Sequence, residues 1–170
     1  ATGNVGRKTI EILEKSDIDF DNLYLVASKK SIGKKIFFRG KSIEVELLDN
    51  YDFSKAEITF FAAGSIVSKD WAMKASKKTI VIDNSSYFRM VKDIPLVVAE
   101  VNPESLKDHK NIIANPNCST MQMVLALKLL HDKYKINRIV VSTYQAVSGA
   151  GKKAEDELFD QTKNYLNGEK

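Results

Sequence analysis

The chain's only cysteine, Cys118, lies in the segment Asn-Pro-Asn-Cys-Ser-Thr (115–120), directly before an apolar stretch that ends near His131. That stretch predicts a helix, and Ser119 and Thr120 suit its first turn because their hydroxyls accept unpaired main-chain N–H groups. The amino end of a helix also favours the thiolate form of a cysteine. Cys118 is therefore a candidate nucleophile, and a buried structural cysteine is the alternative that local context leaves open.

A glycine-containing turn opens the chain. The segment Ala-Thr-Gly-Asn-Val-Gly (1–6) leads straight into a helix-like stretch and resembles the last two-thirds of a Gly-x-x-Gly-x-x-Gly dinucleotide-binding turn. In such a turn Gly3 would let the main chain approach a pyrophosphate, and Gly6 would let the helix pack on its strand. We expect that the first strand of a dinucleotide-binding domain is missing before residue 1.

The strand-like segment Leu23 to Ala27 ends without the acidic residue that binds an NAD ribose in this kind of fold. Two lysines and two hydroxyls follow it instead, in Ser-Lys-Lys-Ser (28–31). This composition favours a 2′-phosphate, and hence NADP, as the ligand. A solvated turn that happens to hold two lysines is the alternative.

Composition limits the class of protein. The 170 residues are 44% hydrophobic and 28% charged with a net charge of +4, as in globular proteins with one core or one domain plus part of another. We expect no membrane partner, since no apolar run approaches ~20 residues, and no nucleic-acid partner, since no basic stripe alternates with aromatics. A single cysteine and no secretory signal fit a cytoplasmic location. No residue is assigned to a metal site.

Strand-like and helix-like segments alternate along the chain. Helices are expected at Asn4 to Lys15, Ile66 to Lys77, Met121 to near His131, and Lys153 to Leu166. Strands are expected at Leu23 to Ala27, Lys35 to Leu48 (two strands turned at 39–41), Ile58 to Ala62, Thr79 to Ile82, Leu96 to Ala99, Ile112 to Ala114 and Arg138 to Gln145. This order predicts an α/β fold with a mostly parallel sheet covered on both faces.

Two of the expected helices have a predicted apolar face. The inward positions of the first helix are Val5, Thr9, Ile12 and Leu13. The candidate core positions of the last helix are Ala154, Leu158, Phe159, Thr162 and Tyr165.

Seven motifs occur in order along the chain. They are Ala-Thr-Gly-Asn-Val-Gly (1–6), Ala-Ser-Lys-Lys-Ser-Ile-Gly (27–33), Phe-Ala-Ala-Gly-Ser (61–65), Asp-Asn-Ser-Ser-Tyr-Phe-Arg-Met (83–90), Pro-Leu-Val-Val-Ala-Glu-Val-Asn (95–102), Asn-Pro-Asn-Cys-Ser-Thr (115–120) and Tyr-Gln-Ala-Val-Ser-Gly-Ala-Gly (144–151). Together they closely resemble the aspartate-semialdehyde dehydrogenase family. The resemblance covers essentially the whole chain and about the first half of the family's length.

The resemblance implies a Rossmann-type NADP-binding domain over residues 1–115, without its first strand. The beginning of an α+β catalytic and dimerisation domain would follow over residues 116–170. The family interconverts aspartyl-4-phosphate and aspartate-4-semialdehyde, with NADP and phosphate, through a cysteine thioacyl intermediate. The implied pathway is the biosynthesis of lysine, threonine, methionine and diaminopimelate. These small molecules, and further copies of the full-length protein in a homo-oligomer, are the expected partners.

The resemblance also implies roles for individual residues. Cys118 matches the nucleophile, Gln145 the residue that positions the substrate, Arg89 the phosphate clamp, and Asn117 a polar residue on the same phosphate. The residues matched to the cofactor are Thr2, Gly3, Asn4 and Val5 in the phosphate-binding turn, Ser28, Lys30 and Ser31 at the 2′-phosphate, and Ala63, Gly64, Asn84, Ser148 and Gly149 along the remainder. Lys30 stands where the family commonly has arginine, so the 2′-phosphate would lose a planar fork of donors.

The family's acid–base histidine and its second arginine would lie beyond residue 170. Of the two histidines present, His131 lies 13 positions after Cys118 on the same expected helix, ~20 Å away along the axis, and His109 lies in a polar stretch. Residues 1–170 are thus expected to hold a nucleophile without its base.

Three other functions remain open. N-acetyl-glutamyl-phosphate reductase uses similar chemistry, although its cysteine motif is usually of a Gly-Cys-Tyr-Pro type. A non-catalytic dinucleotide-binding or redox-sensing module would use Cys118 as its sensor. The third alternative is a folding remnant without a ligand.

Overall fold

The computed structural model describes residues 1–168. Its helices are α1 (Asn4–Lys15), α2 (Ser65–Ala75), α3 (Cys118–Tyr134) and α4 (Lys152–Leu166). Its strands are β1 (Leu25–Ala27), β2 (Lys35–Phe38), β3 (Lys41–Leu47), β4 (Ile58–Phe61), β5 (Ile80–Asp83) and β6 (Ile112–Ala114). Among residues 1–168, no helix has both the length and the hydropathy of a membrane span.

The strands form two three-stranded sheets. In the first, of order β1-β3-β2, β3 is parallel to β1 and antiparallel to β2. The β2–β3 hairpin turns at Arg39 and Gly40, which both have positive φ as a tight hairpin requires. In the second sheet, of order β4-β5-β6, all strands are parallel. The mostly parallel α/β fold is confirmed, and its division into two sheets is not predicted by the sequence.

Each sheet has its own apolar cluster. The cluster of the second sheet contains Phe61, Val81 and Ile112 from its strands and the fully buried Ala72 and Ala75 from α2. The cluster of the first sheet is Ile10, Leu25, Phe38 and Val45. Because β4, β5 and β6 are parallel, their carboxyl ends meet at one edge, where ligands bind in sheets of this kind.

The helix α1 has the predicted bounds, but it buries a different face. Gly6 and Ile10 are buried, whereas Val5 and Ile12 are 46% and 58% exposed, so the prediction is wrong for these two residues. The cause is the close approach of the main chain at Gly6, where an added Cβ would lie 2.7 Å from the carbonyl oxygen of Ala1. That contact turns the helix so that Ile10, one turn later, faces the core.

The predicted strand Leu96 to Ala99 is reduced to a single parallel bridge, between Leu96 and Ala114. A side chain competes for its main-chain groups. Asn102 accepts a hydrogen bond from the N–H of Val98 at 2.8 Å and donates one to the carbonyl of Leu96 at 2.9 Å. Asparagine side chains compete in this way with regular backbone pairing, so the strand prediction is wrong here.

The predicted strand Arg138 to Gln145 is also wrong, since residues 135–146 form no strand pairing with any other residue that the structure describes. A strand needs a neighbour for its N–H and carbonyl groups, and none lies beside this segment within residues 1–168. The helix α4 forms as predicted, but Leu158, Phe159, Thr162 and Tyr165 are exposed and Ala154 is half-buried. Its proposed core positions therefore do not form a core within the described chain.

Candidate active site

Cys118 is the first residue of α3, and its thiol is exposed. Asn117 caps the helix, because its Oδ1 accepts the N–H of Ser119 at 3.0 Å. The same oxygen accepts the Cys118 thiol at 4.0 Å from Sγ. The predicted position of the cysteine at the amino end of a long helix is thus confirmed, and Asn117 holds both the helix end and the thiol.

An open cleft of about 390 Å³ lies beside Cys118. Its lining residues are Cys118, Ser119, Gln122, Thr143, Tyr144, Gln145, Ala146, Ser148 and Gly149. The cleft therefore brings Cys118 next to Gln145, Ser148 and Gly149, which lie in a later segment of the chain. Asn117 and Gln145 also line a smaller adjoining cavity of about 230 Å³.

Four polar residues of this cleft were not predicted as site residues: Ser119, Gln122, Thr143 and Tyr144. Thr143 accepts a hydrogen bond from the Gln145 amide at 3.2 Å, which orients that side chain. Gln122 could have been found, because it follows Cys118 by four residues and so lies on the same face of α3. Tyr144 begins the motif at 144–151, whereas Thr143 carried no comparable signal.

Arg89 lies where the carboxyl ends of β5 and β6 meet. Its Nε donates to the carbonyl of Asn115 at 2.9 Å, and its Nη2 donates to the carbonyl of Asn84 at 3.1 Å. The Asn115 amide in turn donates to Oδ1 of Asn84 at 2.6 Å. Arg89 is thereby tied to a residue three positions before Cys118, although it lines neither cavity. Asn115 is a member of this group that the sequence did not reveal.

The residues expected at the dinucleotide phosphates lie together. The hydroxyl of Thr2 donates to the hydroxyl of Ser31 at 2.9 Å. Gly3 precedes α1 without a side-chain cap, and the first turn, which includes Asn4 and Val5, has no acidic residue. Such an uncapped helix end presents free N–H groups and positive potential to a phosphate, so the residues present fit this part of a dinucleotide.

The loop after β1 forms a short 3₁₀ turn, Lys29–Ser31, with Ser28 at its start. Ser31 is buried, whereas Ser28 and Lys30 are exposed. The two exposed side chains lie beside the Thr2–Ser31 contact and supply a hydroxyl and a cation there. This pair fits an additional phosphate group.

Ala63, Gly64 and Asn84 follow the neighbouring strands β4 and β5. Gly64 has a φ of 89°, a conformation that favours glycine, and it starts α2. The N–H of Asn84 donates to the carbonyl of Phe61 at 2.9 Å, which keeps the two strand ends together. These three residues therefore share one edge of the second sheet, as the expected cofactor site requires.

A side-chain hydrogen bond joins the helices α1 and α4. Asn4 at the start of α1 donates to the Glu155 carboxylate on α4 at 2.9 Å. α4 directly follows the 3₁₀ turn Val147–Ala150, which carries Ser148 and Gly149. The contact thus brings the far part of the proposed cofactor set toward the phosphate-binding turn.

Two family models match this chain. The NAD binding domain of semialdehyde dehydrogenase matches residues 1–109, and the dimerisation domain of semialdehyde dehydrogenase matches residues 127–170. The chain belongs to the semialdehyde dehydrogenase family. The aspartate-semialdehyde dehydrogenase of Aquifex aeolicus (strain VF5) is 53% identical over 172 residues, which cover 99% of this chain and 51% of that protein.

Solved structures of this family agree with the fold. Aspartate semialdehyde dehydrogenase II from Vibrio cholerae, complexed with ASA, is 48% identical with a TM-score of 0.92, over 99% of this chain and 51% of that one. The enzyme from Candida albicans with NADP is 29% identical with a TM-score of 0.66, over 78% of this chain and 45% of that one. The chain spans about half the length of the relatives that it matches. The resemblance to aspartate-semialdehyde dehydrogenases is confirmed.

Proposed function

We propose that the protein carrying this semialdehyde dehydrogenase chain interconverts aspartyl-4-phosphate and aspartate-4-semialdehyde, with NADP and phosphate. The observation that carries the proposal is the cleft beside Cys118, which joins a thiol at a helix amino end to Gln145, Ser148 and Gly149. The names of the Aquifex and Vibrio relatives support aspartate semialdehyde as the substrate that is oxidised. The implied pathway is biosynthesis of the aspartate family of amino acids.

In the reductive direction Cys118 Sγ attacks the carbonyl carbon of the acyl phosphate. A C–S bond forms, the bond from that carbon to the phosphate oxygen breaks, and phosphate leaves. The attacking sulfur lies on the first residue of α3 and is exposed. When bound, the dinucleotide would supply a hydride to the thioester carbon; the C–S bond then breaks, which releases the aldehyde and returns Cys118 as a thiolate.

Three further side chains serve this step. Gln145, oriented by Thr143, holds the substrate at the sulfur. Arg89 offers a planar guanidinium to the phosphate, and Asn117 contributes an amide next to Cys118. Preorganised donors of this kind accelerate a reaction because they need not be ordered as charge develops.

NADP is the proposed cofactor. Thr2, Gly3, Asn4 and Val5 would hold the pyrophosphate, with Ala63, Gly64, Asn84, Ser148 and Gly149 along the remaining cofactor. Ser28, Lys30 and Ser31 would hold the 2′-phosphate, and the loop after β1 has no acidic residue to repel it. The NADP of the Candida albicans relative supports this choice.

The proposal extends to organisation and location. The cofactor-binding part would be residues 1–115 and the catalytic part would begin at residue 116. The dimerisation-domain match and the exposed Leu129, Phe159 and Tyr165 support a homo-oligomer. An exposed catalytic thiol is best maintained in a reducing compartment, which supports the cytoplasm.

Redox sensing is the second candidate function, and the exposed free thiol of Cys118 is the observation that favours it. Two measurements on the product of the full reading frame separate the two functions. The first is oxidation of aspartate semialdehyde by NADP with and without phosphate. The second is alkylation of Cys118 by iodoacetamide with and without an acyl-phosphate analogue. We expect phosphate-dependent oxidation and protection by the analogue; oxidation independent of phosphate together with unprotected alkylation would contradict the enzyme.

A further inference from the structure

Asp83, the last residue of β5, has a completely buried side chain. Its carboxyl oxygens accept hydrogen bonds from the Ser68 hydroxyl at 2.6 Å, the Ser85 N–H at 3.2 Å and the Ser85 hydroxyl at 2.7 Å. Burial of a polar group is costly unless its hydrogen bonds are made. Two of these three bonds go to the turn that follows β5, so the buried carboxyl group determines the shape of that turn.

Ser85 connects Asp83 to the rest of the turn. Because its hydroxyl donates to Asp83, its oxygen is free to accept the N–H of Tyr87, at 3.1 Å. Phe88 comes next and is buried in the apolar cluster of the second sheet. The main chain just before Arg89 is therefore fixed by the hydrogen bonds of Asp83 and Ser85 and by the buried ring of Phe88.

The main chain of Asp83 also supports the other side of the guanidinium, through Asn115. The main-chain carbonyl of Asp83 accepts the N–H of Asn115 at 2.8 Å, and the Asn115 carbonyl accepts the Nε–H of Arg89. The other acceptor of the guanidinium is the carbonyl of Asn84, inside the turn that Asp83 shapes. Arg89 Nη1 makes no hydrogen bond to any residue of 1–168, so this end of the fork is free for an anion.

We propose that Asp83 is a positioning residue that acts through Ser85 to hold the Arg89 guanidinium in the orientation that binds the substrate phosphate. The choice of phosphate as the anion rests on the function proposed above. A long flexible side chain loses conformational entropy when it is held in one orientation. Because the buried network already orients Arg89, binding of the anion does not require this further loss. Release of the network would leave Arg89 charged but unoriented.

The first test measures the rate at which the Arg89 Nε–H exchanges with water. Arginine side-chain NMR on the product of the full reading frame gives this rate. Asp83→Asn replaces an acceptor with a donor at constant size, and Ser85→Ala removes the link to Tyr87. We expect exchange roughly tenfold faster in both variants, as the loss of one hydrogen bond would give. Ser86→Ala is the matched control, because it removes a hydroxyl of the same turn whose hydrogen bond goes to Ser65 and not to Asp83.

Exchange rates equal to those of the parent in Ser85→Ala would overturn the proposal, and this variant decides the matter if Asp83→Asn fails to fold. The second test is the KM for phosphate in semialdehyde oxidation. We expect it to rise roughly tenfold in both variants while the KM for NADP changes less than about twofold. Parallel changes in both KM values would indicate a merely structural role and would also overturn the proposal. A parent without phosphate-dependent oxidation would refute the proposed function, and the exchange rates would still decide the positioning of Arg89.

Discussion

The hydroxyl of Thr2 donates a hydrogen bond to the hydroxyl of Ser31 over 2.9 Å, across 29 positions of the chain. The bond connects the start of α1 to the loop after β1, and the burial of Ser31 limits the movement of that loop. The two parts of the proposed cofactor pocket are thus positioned relative to each other. A dinucleotide whose pyrophosphate binds at the start of α1 would therefore have its 2′-phosphate near the loop after β1.

We expect NADP to bind more tightly than NAD, because Ser28, Lys30 and Ser31 form the proposed 2′-phosphate site and the loop after β1 has no acidic residue. Lys30→Ala should weaken the binding of NADP roughly tenfold, because the variant loses a charged hydrogen bond to the 2′-phosphate. The binding of NAD should weaken much less, because NAD has no 2′-phosphate. Titration of the two dinucleotides against parent and variant measures the effect. Lys35→Ala, an exposed lysine of β2, is the control. Equal affinity of the parent for NADP and NAD would refute the assignment.

The two glycines of the first turn should respond differently to the same substitution. An added Cβ at Gly6 would lie 2.7 Å from the Ala1 carbonyl oxygen, whereas at Gly3 it would have no atom within 4 Å apart from those of Gly3 and its two chain neighbours. Gly6→Ala should lower the free energy of unfolding by about 1–3 kcal/mol through overpacking. Gly3→Ala should leave stability nearly unchanged and weaken dinucleotide binding, because the methyl group blocks the approach of the pyrophosphate. Denaturant unfolding and dinucleotide titration of both variants check this, and equal stability losses would contradict it.

Cys118→Ser in the product of the full reading frame should lower turnover by several orders of magnitude. A hydroxyl has no thiolate character near neutral pH, so the acyl transfer loses its nucleophile. The side chain is exposed at the helix end, so the variant should keep the parent's melting temperature. Turnover is measured under steady state, and near-normal turnover in a folded variant would disprove the role of Cys118.

A protein that consists of residues 1–170 alone should show no dehydrogenase turnover. No histidine lines the cleft beside Cys118 among the described residues. His131 lies far along α3, and the Nδ1 of His109 accepts the N–H of Asn111. Acid–base assistance worth roughly 10²–10⁴-fold is therefore absent.

The same chain should also self-associate, since apolar side chains such as Leu129 and Phe159 are exposed. A steady-state assay and sedimentation of the purified chain measure turnover and association. Turnover comparable with that of the full reading frame would show that a base lies within residues 1–170.

Local signals predicted the secondary structure well where neighbouring residues decide it. The bounds of α1 were predicted correctly. The helix α3 begins at Cys118, three residues before the predicted Met121, because Asn117 caps it. The strand at Leu96 failed because the side chain of Asn102 takes its main-chain groups. The strand at Arg138 failed because pairing requires a neighbour that no local pattern supplies.

The sequence by itself determined the chemical types present and their places on helices and strands: a thiol at a helix end, an uncapped glycine turn, and a loop with two lysines and no acid. Only the tertiary structure decided which of these groups meet. Arg89 binds the carbonyl of Asn115 across 26 positions, Thr2 binds Ser31 across 29, and Cys118 shares its cleft with Gln145. For Arg89 and Asn115 the physical reason is that parallel strands bring their carboxyl ends to one edge whatever their distance along the chain. Thr2 meets Ser31, and Cys118 meets Gln145, through the packing of loops and helix ends, which no pattern of neighbouring residues specifies.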